Sequence, residues 1–385
     1  MLLESLGGSG EKGRVGFLLE IGEKKIVLDY GIKRKIHGSW DEIYPERVDG
    51  RVDLLYVSHA HQDHSGAIPL LEFEKLLCSE PTLFLLKNYV SSWMKTAKMY
   101  DAPLNERKYE EFLNRGIRIV KEKIDWISID TGKSGHTVGS TWIRLEHGIS
   151  LLYTGDITLD SPLYAFDDLK RADVLIVDTA YGSRKIEPRE SLMGLILRFK
   201  HRRVVLPLPR VGRSQEILLT MLRSGMMPVY VDERILRAFD VLERFRDWLK
   251  MDINTPEVNT ELPTDLPAGV YLTTDGMVTR GSSLKLYKLL KGDPNTIFIL
   301  TGHQEEGTYG WKLLRDGENA IEFVWKVHPD LEDVLRIIET VSPSYTIVFH
   351  ADEGESKKMV EMLNDMGVRS GILKRGESLR LEEIA

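Results

Sequence analysis

Three histidines and one aspartate lie within six consecutive positions, directly after an apolar run that predicts a buried strand. Residues 58–64 read Ser-His-Ala-His-Gln-Asp-His. Imidazole nitrogens and carboxylate oxygens are ligands that suit zinc, and a catalytic zinc site leaves one coordination position open for water. With this spacing, His59 and His61 can bind one ion while Asp63 and His64 reach toward a second. A lone histidine is usually structural, but this cluster predicts a metal site.

Further apolar runs along the chain also end in one histidine or aspartate. The residues that end these runs are Asp29, His59, Asp156, Asp178 and His350. Strands of one sheet that each end in such a residue place those residues along a common edge, where they can converge. An aspartate at a strand end is usually a turn former, so only the ordered set carries the prediction. A loop histidine, His136, lies among small residues that permit close backbone approach.

The bulk composition is that of an ordinary globular protein. The chain has 385 residues, of which 42% are hydrophobic and 29% charged, enough for two or three domains. No apolar run approaches the ~20 residues that span a bilayer, and the N-terminus lacks a signal-peptide pattern. The single cysteine, Cys78, excludes an intramolecular disulfide and a cysteine-built metal site. We therefore expect a cytoplasmic protein without a membrane partner.

The net charge of −7 argues against a general nucleic-acid binder, although an enzyme could still hold nucleic acid in a local groove. The first part of the chain is rich in predicted strands, with hairpins at residues 15–29 and 142–154, and an α/β alternation begins near residue 182. There we predict strands at residues 204–207, 229–231, 269–272 and 296–300, helices at 214–223, 234–250 and 329–340, a strand at 345–349, and a polar loop at 254–267.

The series Asp29, His59-x-His61-x-Asp63-His64, His136 and Asp156 resembles the four metal-binding motifs of the metallo-β-lactamase fold. The remainder resembles the β-CASP branch of that superfamily, nucleases of RNA maturation, RNA decay and DNA repair. The motifs that carry this second resemblance are residues 177–182, 212–216, 276–281 and 302–308, His328, and His350. The resemblance implies an α/β protein, namely a four-layer αββα metallo-β-lactamase fold with an inserted α/β β-CASP cap. Its segments would be residues 1–181, the cap at 182–325, and a closing segment at 326–385.

The same resemblance implies a ribonuclease that uses two Zn²⁺ ions and acts on single-stranded RNA. His59, His61 and His136 would bind one ion, Asp63, His64 and His350 the second, and Asp156 would bridge them. In such a site two ions share the attacking hydroxide and clamp the scissile phosphate.

Roles outside direct metal binding are also implied. The catalytic residues would be His328 as general acid, Asp178 as the carboxylate that orients it, and Asp63. Asp29 would support the histidine cluster from behind. In the cap, Arg210, Arg213 and Ser214 are the predicted RNA contacts, because guanidinium groups pair well with phosphate. His37, His147 and His201 are interpreted as ordinary histidines.

Two motifs depart from the family pattern. Gly302-His303-Gln304 replaces the usual Gly-Tyr-Gln, and Ala351-Asp352 follows His350 where the family usually continues with Gly-Glu. A histidine at position 350 is similar to RNA-processing members, whereas Artemis-like DNA nucleases carry valine.

Two other functions stay open: a small-molecule metallohydrolase, and a non-catalytic RNA-binding subunit of a processing complex. The sequence also leaves open endonuclease against 5′-to-3′ exonuclease action. The chain ends 35 residues after His350, so we expect a minimal catalytic core. A homodimer is one possible assembly, since dimerisation would extend the RNA surface of such a core, and the sequence leaves the oligomeric state open.

Overall fold

The structure is a computed structural model that describes residues 1–35, 38–117, 124–317 and 319–385, so His37 lies outside the described residues. The strands are β1 Leu2–Gly7, β2 Gly16–Ile21, β3 Lys24–Leu28, β4 Arg51–Tyr56, β5 Glu72–Leu77, β6 Ser128–Lys133, β7 Thr141–His147, β8 Ile149–Tyr153, β9 Val174–Asp178, β10 Arg203–Leu208, β11 Tyr230–Val231, β12 Gly269–Thr274, β13 Thr296–Leu300, β14 Ala320–Glu322, β15 Tyr345–Phe349, β16 Ser370–Gly371 and β17 Ser378–Arg380.

The α-helices are α1 Trp40–Ile43, α2 Gln62–Ser65, α3 Glu80–Met99, α4 Glu106–Asn114, α5 Ser191–Arg198, α6 Arg213–Arg223, α7 Glu233–Arg244, α8 Gly281–Leu290, α9 Tyr309–Asp316, α10 Leu331–Val341 and α11 Glu353–Asp365. Short 3₁₀ helices cover Ile68–Leu70, Arg246–Trp248 and Leu381–Glu383. Within the described ranges, no helix is both long and apolar enough to cross a membrane.

The chain divides into two compact units. The first comprises Met1–Ser161, Ala165–Lys185 and His328–Ala385, and the second comprises Pro162–Tyr164 and Ile186–Val327. The first unit contains two six-stranded sheets, ordered β17-β1-β2-β3-β4-β5 and β16-β15-β9-β8-β7-β6. In these sheets β3 pairs with β4 in parallel, and β8, β9 and β15 run parallel to one another. Their carboxyl ends therefore meet at one edge of each sheet.

Strand β9 shows why the first unit has four layers. All five of its residues are buried, because its two faces belong to different cores. Val174 and Ile176 pack between the two sheets, and Leu175 and Val177 pack against α10 and α11. On the outer face of the other sheet, Leu86 and Trp93 of α3 complete a third core. The order of layers is helix, sheet, sheet, helix, which confirms the predicted four-layer α/β arrangement.

Both hairpins predicted from the alternating pattern are confirmed. Strands β2 and β3 pair in antiparallel register about Gly22, whose φ of +59° suits a glycine turn. Strands β7 and β8 pair in the same way about Gly148, whose φ is +79°. These two hairpins belong to the two facing sheets and supply strands β3 and β8, which both lead into the predicted site.

The second unit is built on one parallel sheet with the strand order β11-β12-β10-β13-β14. Its central strands are buried along their length, as expected when helices cover both faces. The predicted strands and the 254–267 loop are confirmed here, but the helix predicted at 234–250 is wrong in its last third. Helix α7 ends at Arg244, and Arg246–Trp248 forms a 3₁₀ turn instead. Helical periodicity alone does not locate the end of a helix, because α7 lacks a glycine or proline stop there.

Gly31 links the fold to the histidine cluster. Tyr30 N donates to His64 O at 2.9 Å and Ile32 N donates to Gln62 O at 2.9 Å, so the chain on either side of Gly31 lies directly against the α2 backbone. A Cβ at Gly31 would lie 1.6 Å from Asp63 O, a contact that only a backbone shift can relieve. Glycine is thus required by close approach, with no positive φ involved.

We predict that Gly31→Ala lowers the free energy of unfolding by about 2 kcal/mol or more, because overpacking against backbone forces the two segments apart. Urea denaturation followed by tryptophan fluorescence measures it. Gly194→Ala is the matched control, since a Cβ at this position of α5 meets nothing within 4 Å. That variant should be neutral or more stable by roughly 0.5–1 kcal/mol. Equal stability of the two variants would contradict the steric role of Gly31.

Candidate metal centre

The ligand-type side chains of the first unit are delivered by the carboxyl ends of strands from both sheets. Asp29 follows β3, His59 follows β4, Asp156 follows β8, Asp178 ends β9 and His350 follows β15. The short helix α2 begins at Gln62, so Asp63 and His64 lie one turn beyond His59 and His61. His136 lies in the loop between β6 and β7. Asp29 and His350 have φ values of +57° and +72°, so the chain turns sharply where each leaves its strand.

Four side-chain atoms of His59, His61, His136 and Asp156 form a first cluster. His61 Nδ1 lies 3.0 Å from His59 Nε2 and 3.3 Å from His136 Nε2. Asp156 Oδ2 lies 3.5 Å from both His59 Nε2 and His136 Nε2. Ligands bound tetrahedrally to zinc at about 2.0–2.1 Å lie roughly 3.3 Å apart, so these separations fit one small cation.

A second cluster comprises Asp63, His64 and His350. Asp63 Oδ2 lies 3.4 Å from His350 Nε2, while His350 Nδ1 lies 3.0 Å from Asp156 Oδ1. His64 Nε2 lies 3.0 Å from the same Asp156 oxygen. One carboxylate oxygen of Asp156 therefore faces each cluster. This geometry allows Asp156 to serve both.

Three buried atoms at the second cluster support a metal ion on physical grounds. His64 Nε2, His350 Nδ1 and Asp156 Oδ1 make no hydrogen bond within the described part of the chain, although they lie within ion-pair distance of one another. A divalent cation bound among them would satisfy all three, so the donor set fits a metal of the zinc type.

The electrostatics divide the histidines into two groups. Burial lowers the pKa of His59 well below its ordinary value, and the neighbouring His64 and His61 lower it further. Burial also lowers the pKa of His61 despite the nearby carboxylates. For His64, burial lowers the pKa, but Asp156 and Asp29 outweigh burial and raise it to about 10. The same balance, with Asp156 first among the carboxylates, raises the pKa of His350 well above its ordinary value.

Asp29 orients the histidine cluster from behind. Its carboxylate is fully buried and accepts from Ser58 N at 2.7 Å, Ser58 Oγ at 2.6 Å and Tyr153 OH at 2.6 Å. Its Oδ2 also lies 2.8 Å from His64 Nδ1. An Nδ1–H directed at this carboxylate leaves His64 Nε2 free to face Asp156, the arrangement that second carboxylates impose on metal-binding imidazoles.

His328 and Asp178 form a pair next to Asp156. His328 Nδ1 lies 2.8 Å from Asp178 Oδ2 and 3.9 Å from Asp156 Oδ2. Burial raises the pKa of Asp178, but His328 and His350 lower it to about 2, so the carboxylate is charged at neutral pH. Ala180 N also donates to Asp178 Oδ1 at 2.9 Å, which fixes the carboxylate. Asp178 therefore holds the His328 imidazole in a defined orientation beside the clusters.

The three predicted RNA contacts lie in the second unit and differ in exposure. Arg210 is exposed, and its carbonyl oxygen accepts from Gln215 Nε2 at 3.0 Å. Arg213 is half-buried, with Nη1 so close to Gly302 that a Cβ there would lie 1.9 Å away. Ser214 is fully buried, and its hydroxyl lies 3.1 Å from Gln215 Oε1. Ser214 is therefore corrected to a residue that stabilises the start of α6, since solvent and RNA do not reach it.

Three residues that touch the site were not predicted from the sequence. Ser58 and Tyr153 bind Asp29, and Tyr181 lies with its ring centroid 5.4 Å from that of His328, edge to face. Each is adjacent in sequence to a predicted motif or belongs to one, which was the available signal. Tyr153 belongs to the sheet opposite Asp29, so sequence alone could not pair them.

Comparison with known proteins identifies the family. A family model described as Beta-lactamase superfamily domain matches residues 12–207, and one described as Beta-Casp domain matches residues 215–313. The chain belongs to the β-CASP branch of the metallo-β-lactamase superfamily. The β-CASP assignment agrees with the resemblance inferred from the motifs, and members of this superfamily bind metal through the fold seen here.

Several named relatives share this architecture. The RNase J-like protein of Methanocaldococcus jannaschii is 30% identical over 92% of this chain and 94% of its own length. The Probable RNase MJ4 of the same organism is 25% identical over 97% and 99%. Endoribonuclease YSH1 of Kluyveromyces lactis is 25% identical over 98% of this chain, which spans only 57% of that relative. A protein of unknown function from Enterococcus faecalis V583, with a TM-score of 0.63 and 16% identity over 98% of this chain and 99% of its own, shares the fold.

The opposed pKa shifts of the histidines give a test of metal binding. At pH 6 the metal-free protein should carry protons on His64 and His350, and metal binding must release them because a ligand imidazole is neutral. Below the raised pKa values of His64 and His350, the apparent metal affinity therefore increases with pH, by about tenfold per pH unit for each proton released. Titration calorimetry in buffers of different ionisation enthalpy counts these protons.

The matched comparison is between His350→Gln and His61→Gln. In the wild type the pKa of His61 is lowered, so this histidine carries no proton to release. The first change should remove about one released proton, and the second should remove none. Equal proton release from wild type and His350→Gln would show that the cluster does not hold its protons as described.

Proposed function

We propose that this chain is a zinc-dependent ribonuclease that hydrolyses phosphodiester bonds in single-stranded RNA. The observation that carries the proposal is the convergence of seven ligand-type side chains into two clusters, with Asp156 in the first and 3.0 Å from two histidines of the second, and with the His328–Asp178 pair beside them. The printed names of the relatives, an RNase J-like protein and an endoribonuclease among them, supply the substrate class.

The chain would hold two zinc ions with the residues already described. His59, His61 and His136 would hold one ion, Asp63, His64 and His350 would hold the other, and Asp156 would contribute one oxygen to each. Bound zinc supplies Lewis-acid stabilisation of phosphate charge and a water nucleophile at neutral pH. Asp63 is a ligand in this scheme, and its pKa, raised by burial but lowered more by His350 and His64, keeps it ionised.

His328 is proposed as the group that protonates the leaving oxygen. It is partly exposed, with 15% of its side chain accessible, whereas Asp178 is fully buried. A charged, buried Asp178 at 2.8 Å from Nδ1 fixes the orientation and tautomer of the imidazole, so Nε2 is the nitrogen available for proton transfer. A general acid of this kind contributes typically 10²–10⁴-fold to the rate.

A small-molecule metallohydrolase is the competing function, since the same metal clusters could hydrolyse an ester or lactam. The Beta-Casp domain at residues 215–313 favours the nucleic-acid substrate, because it occurs together with relatives named as ribonucleases. Rates on a thioester, a β-lactam and RNA decide between them. A non-catalytic RNA-binding role is opposed by the presence of every ligand in place, and metal analysis of the purified protein tests it.

We predict that Asp156→Ala abolishes RNA cleavage and lowers zinc content, because both clusters lose an oxygen. Changes to outer partners of metal ligands already cost 10–100-fold, so the loss here should exceed about a hundredfold. Cleavage of a 5′-labelled single-stranded RNA and metal analysis measure the two effects. Full activity in this variant would remove the two-metal proposal.

A second variant separates the acid from the ligands. His328→Ala should slow cleavage by about a hundredfold or more with zinc content unchanged. His147→Ala is the matched control, because His147 is an exposed histidine at the β7–β8 turn and belongs to neither metal cluster. Loss of zinc from His328→Ala would instead make this residue a ligand, as its position near Asp156 and His350 also allows.

A separate set of RNA substrates distinguishes endonuclease from 5′-to-3′ exonuclease action. Linear RNAs with a 5′-monophosphate or 5′-triphosphate report 5′-end dependence, and a circular RNA offers no end at all. Cleavage of the circle establishes endonuclease action, while processive loss from the monophosphate end establishes the exonuclease.

A further inference from the structure

Helices α8 and α9 of the second unit carry a surface that combines lysines with aromatic rings. We define the α8–α9 face by Lys285, Tyr287, Lys288 and Lys291 of α8 and its C-terminal cap, together with Tyr309 and Lys312 of α9. None of these residues belongs to the metal clusters, and all lie in the second unit.

The first observation is the charge of α8. Its sequence from Gly281 to Leu290, with the cap Lys291, contains three lysines and no acidic residue, in a chain whose net charge is −7. Lys285, Lys288 and Lys291 are all exposed and follow one another at intervals of three. Like charges at this spacing repel by a few tenths of a kcal/mol on a helix. The three lysines therefore repel one another slightly, which lowers the stability of α8 by a small amount.

Other exposed helices of the chain pair their charges. Helix α7 has Glu233 with Arg237, α4 has Arg107 with Glu111, and α11 has Glu353 with Lys357. In contrast, no ion pair is seen for the three α8 lysines or for Lys312 within the described ranges. A solvated helix surface would be expected to mix signs as these helices do. The α8–α9 face is thus set apart by composition as well as by position.

The second observation is the arrangement of rings among these lysines. The rings of Tyr287 and Tyr309 lie 4.8 Å apart at 35°. Lys291 Nζ lies 5.8 Å from the Tyr287 centroid, and Lys312 Nζ lies 5.3 Å from the Tyr309 centroid. Tyr309 is 37% exposed. A pair of rings with a cation beside each is the composition of surfaces that stack bases and bind the phosphates between them.

We propose that the α8–α9 face binds single-stranded RNA, as a surface additional to the metal centre. The inference rests on the proposed function for its choice of RNA. Lysines match the phosphate charge, and the exposed ring of Tyr309, which lies against Tyr287, matches the bases, whereas an acidic protein partner would account for the lysines alone. Leu289, 61% exposed between Lys288 and Lys291, adds apolar area suited to a ribose or base edge.

The test compares RNA affinity without cleavage. The face variant carries Lys285→Gln, Lys288→Gln and Lys291→Gln, and the control carries the same change at three exposed lysines of other elements. Those control residues are Lys95, Lys200 and Lys357. Both variants lose three charges, so overall charge is matched. Anisotropy of a fluorescent 20-nucleotide oligouridylate is measured in EDTA between 50 and 200 mM salt.

The face variant should bind roughly tenfold more weakly, and its slope of log affinity against log salt should fall by about 2, since each phosphate contact on a single strand contributes about 0.7. The control should bind as the wild type does. Equal affinities for the face variant and the wild type would overturn the proposal and make an acidic protein the partner class to pursue.

A single aromatic change tests stacking separately from charge. Tyr309→Ala should weaken oligouridylate binding about fivefold or more. Tyr309→Phe should bind as tightly as the wild type, because the ring suffices for stacking. Loss in both variants would contradict stacking. Because binding is measured in EDTA, these results hold even if the chain cleaves no RNA. Conversely, retained cleavage of a five-nucleotide RNA by the face variant would show that the metal centre is intact.

Discussion

The metal centre depends on the hydrogen bonds that the buried carboxylate of Asp29 accepts. It is fully buried, so its charge must be compensated, and Ser58, Tyr153 and His64 together supply the four polar groups around it. Ser58 and His64 follow β4, next to Asp29 in one sheet, whereas Tyr153 ends β8 in the other. One carboxylate thus holds both sheets in register where their ligands converge. Removal of this carboxylate would leave buried donors from both sheets without a partner.

Beneath Asp29 the two sheets meet through aromatic rings. Phe17, Tyr153 and Phe349 lie with centroids 5.4–5.9 Å apart, and each comes from a different strand. Packing of this kind stabilises by roughly 0.5–1.5 kcal/mol per pair beyond the area buried. Phe349 precedes His350, and Tyr153 precedes the Asp156 turn by three residues. The core below the site therefore fixes the strand ends from which two ligands emerge.

Much of this arrangement follows from sequence, for a physical reason. A buried strand is an apolar run, and a ligand at its end interrupts that run, so His59, Asp156, Asp178 and His350 were all visible as strand terminators. Partners across the sheets were not visible, because Tyr153 and Asp29 are separated by 124 residues. Side-chain exposure is equally hidden: Ser214 was predicted as a phosphate contact, but it lies in the first turn of α6 with its side chain fully buried. A helix end that lacks glycine or proline, such as the end of α7 at Arg244, cannot be located from hydrophobic periodicity.

The balance of charges explains how such a cluster can be placed before any cation binds. The carboxylates of Asp63 and Asp156 have lowered pKa values despite burial, because the imidazoles of His350 and His64 face them. His64 and His350 are protonated, while burial keeps His59 neutral. Anionic and cationic ligands thereby compensate one another, which limits the desolvation cost of burying them. Binding of one divalent cation at the second cluster would release these two protons, so the net charge of that cluster would change little, and the fold can hold its ligands in place for the cation.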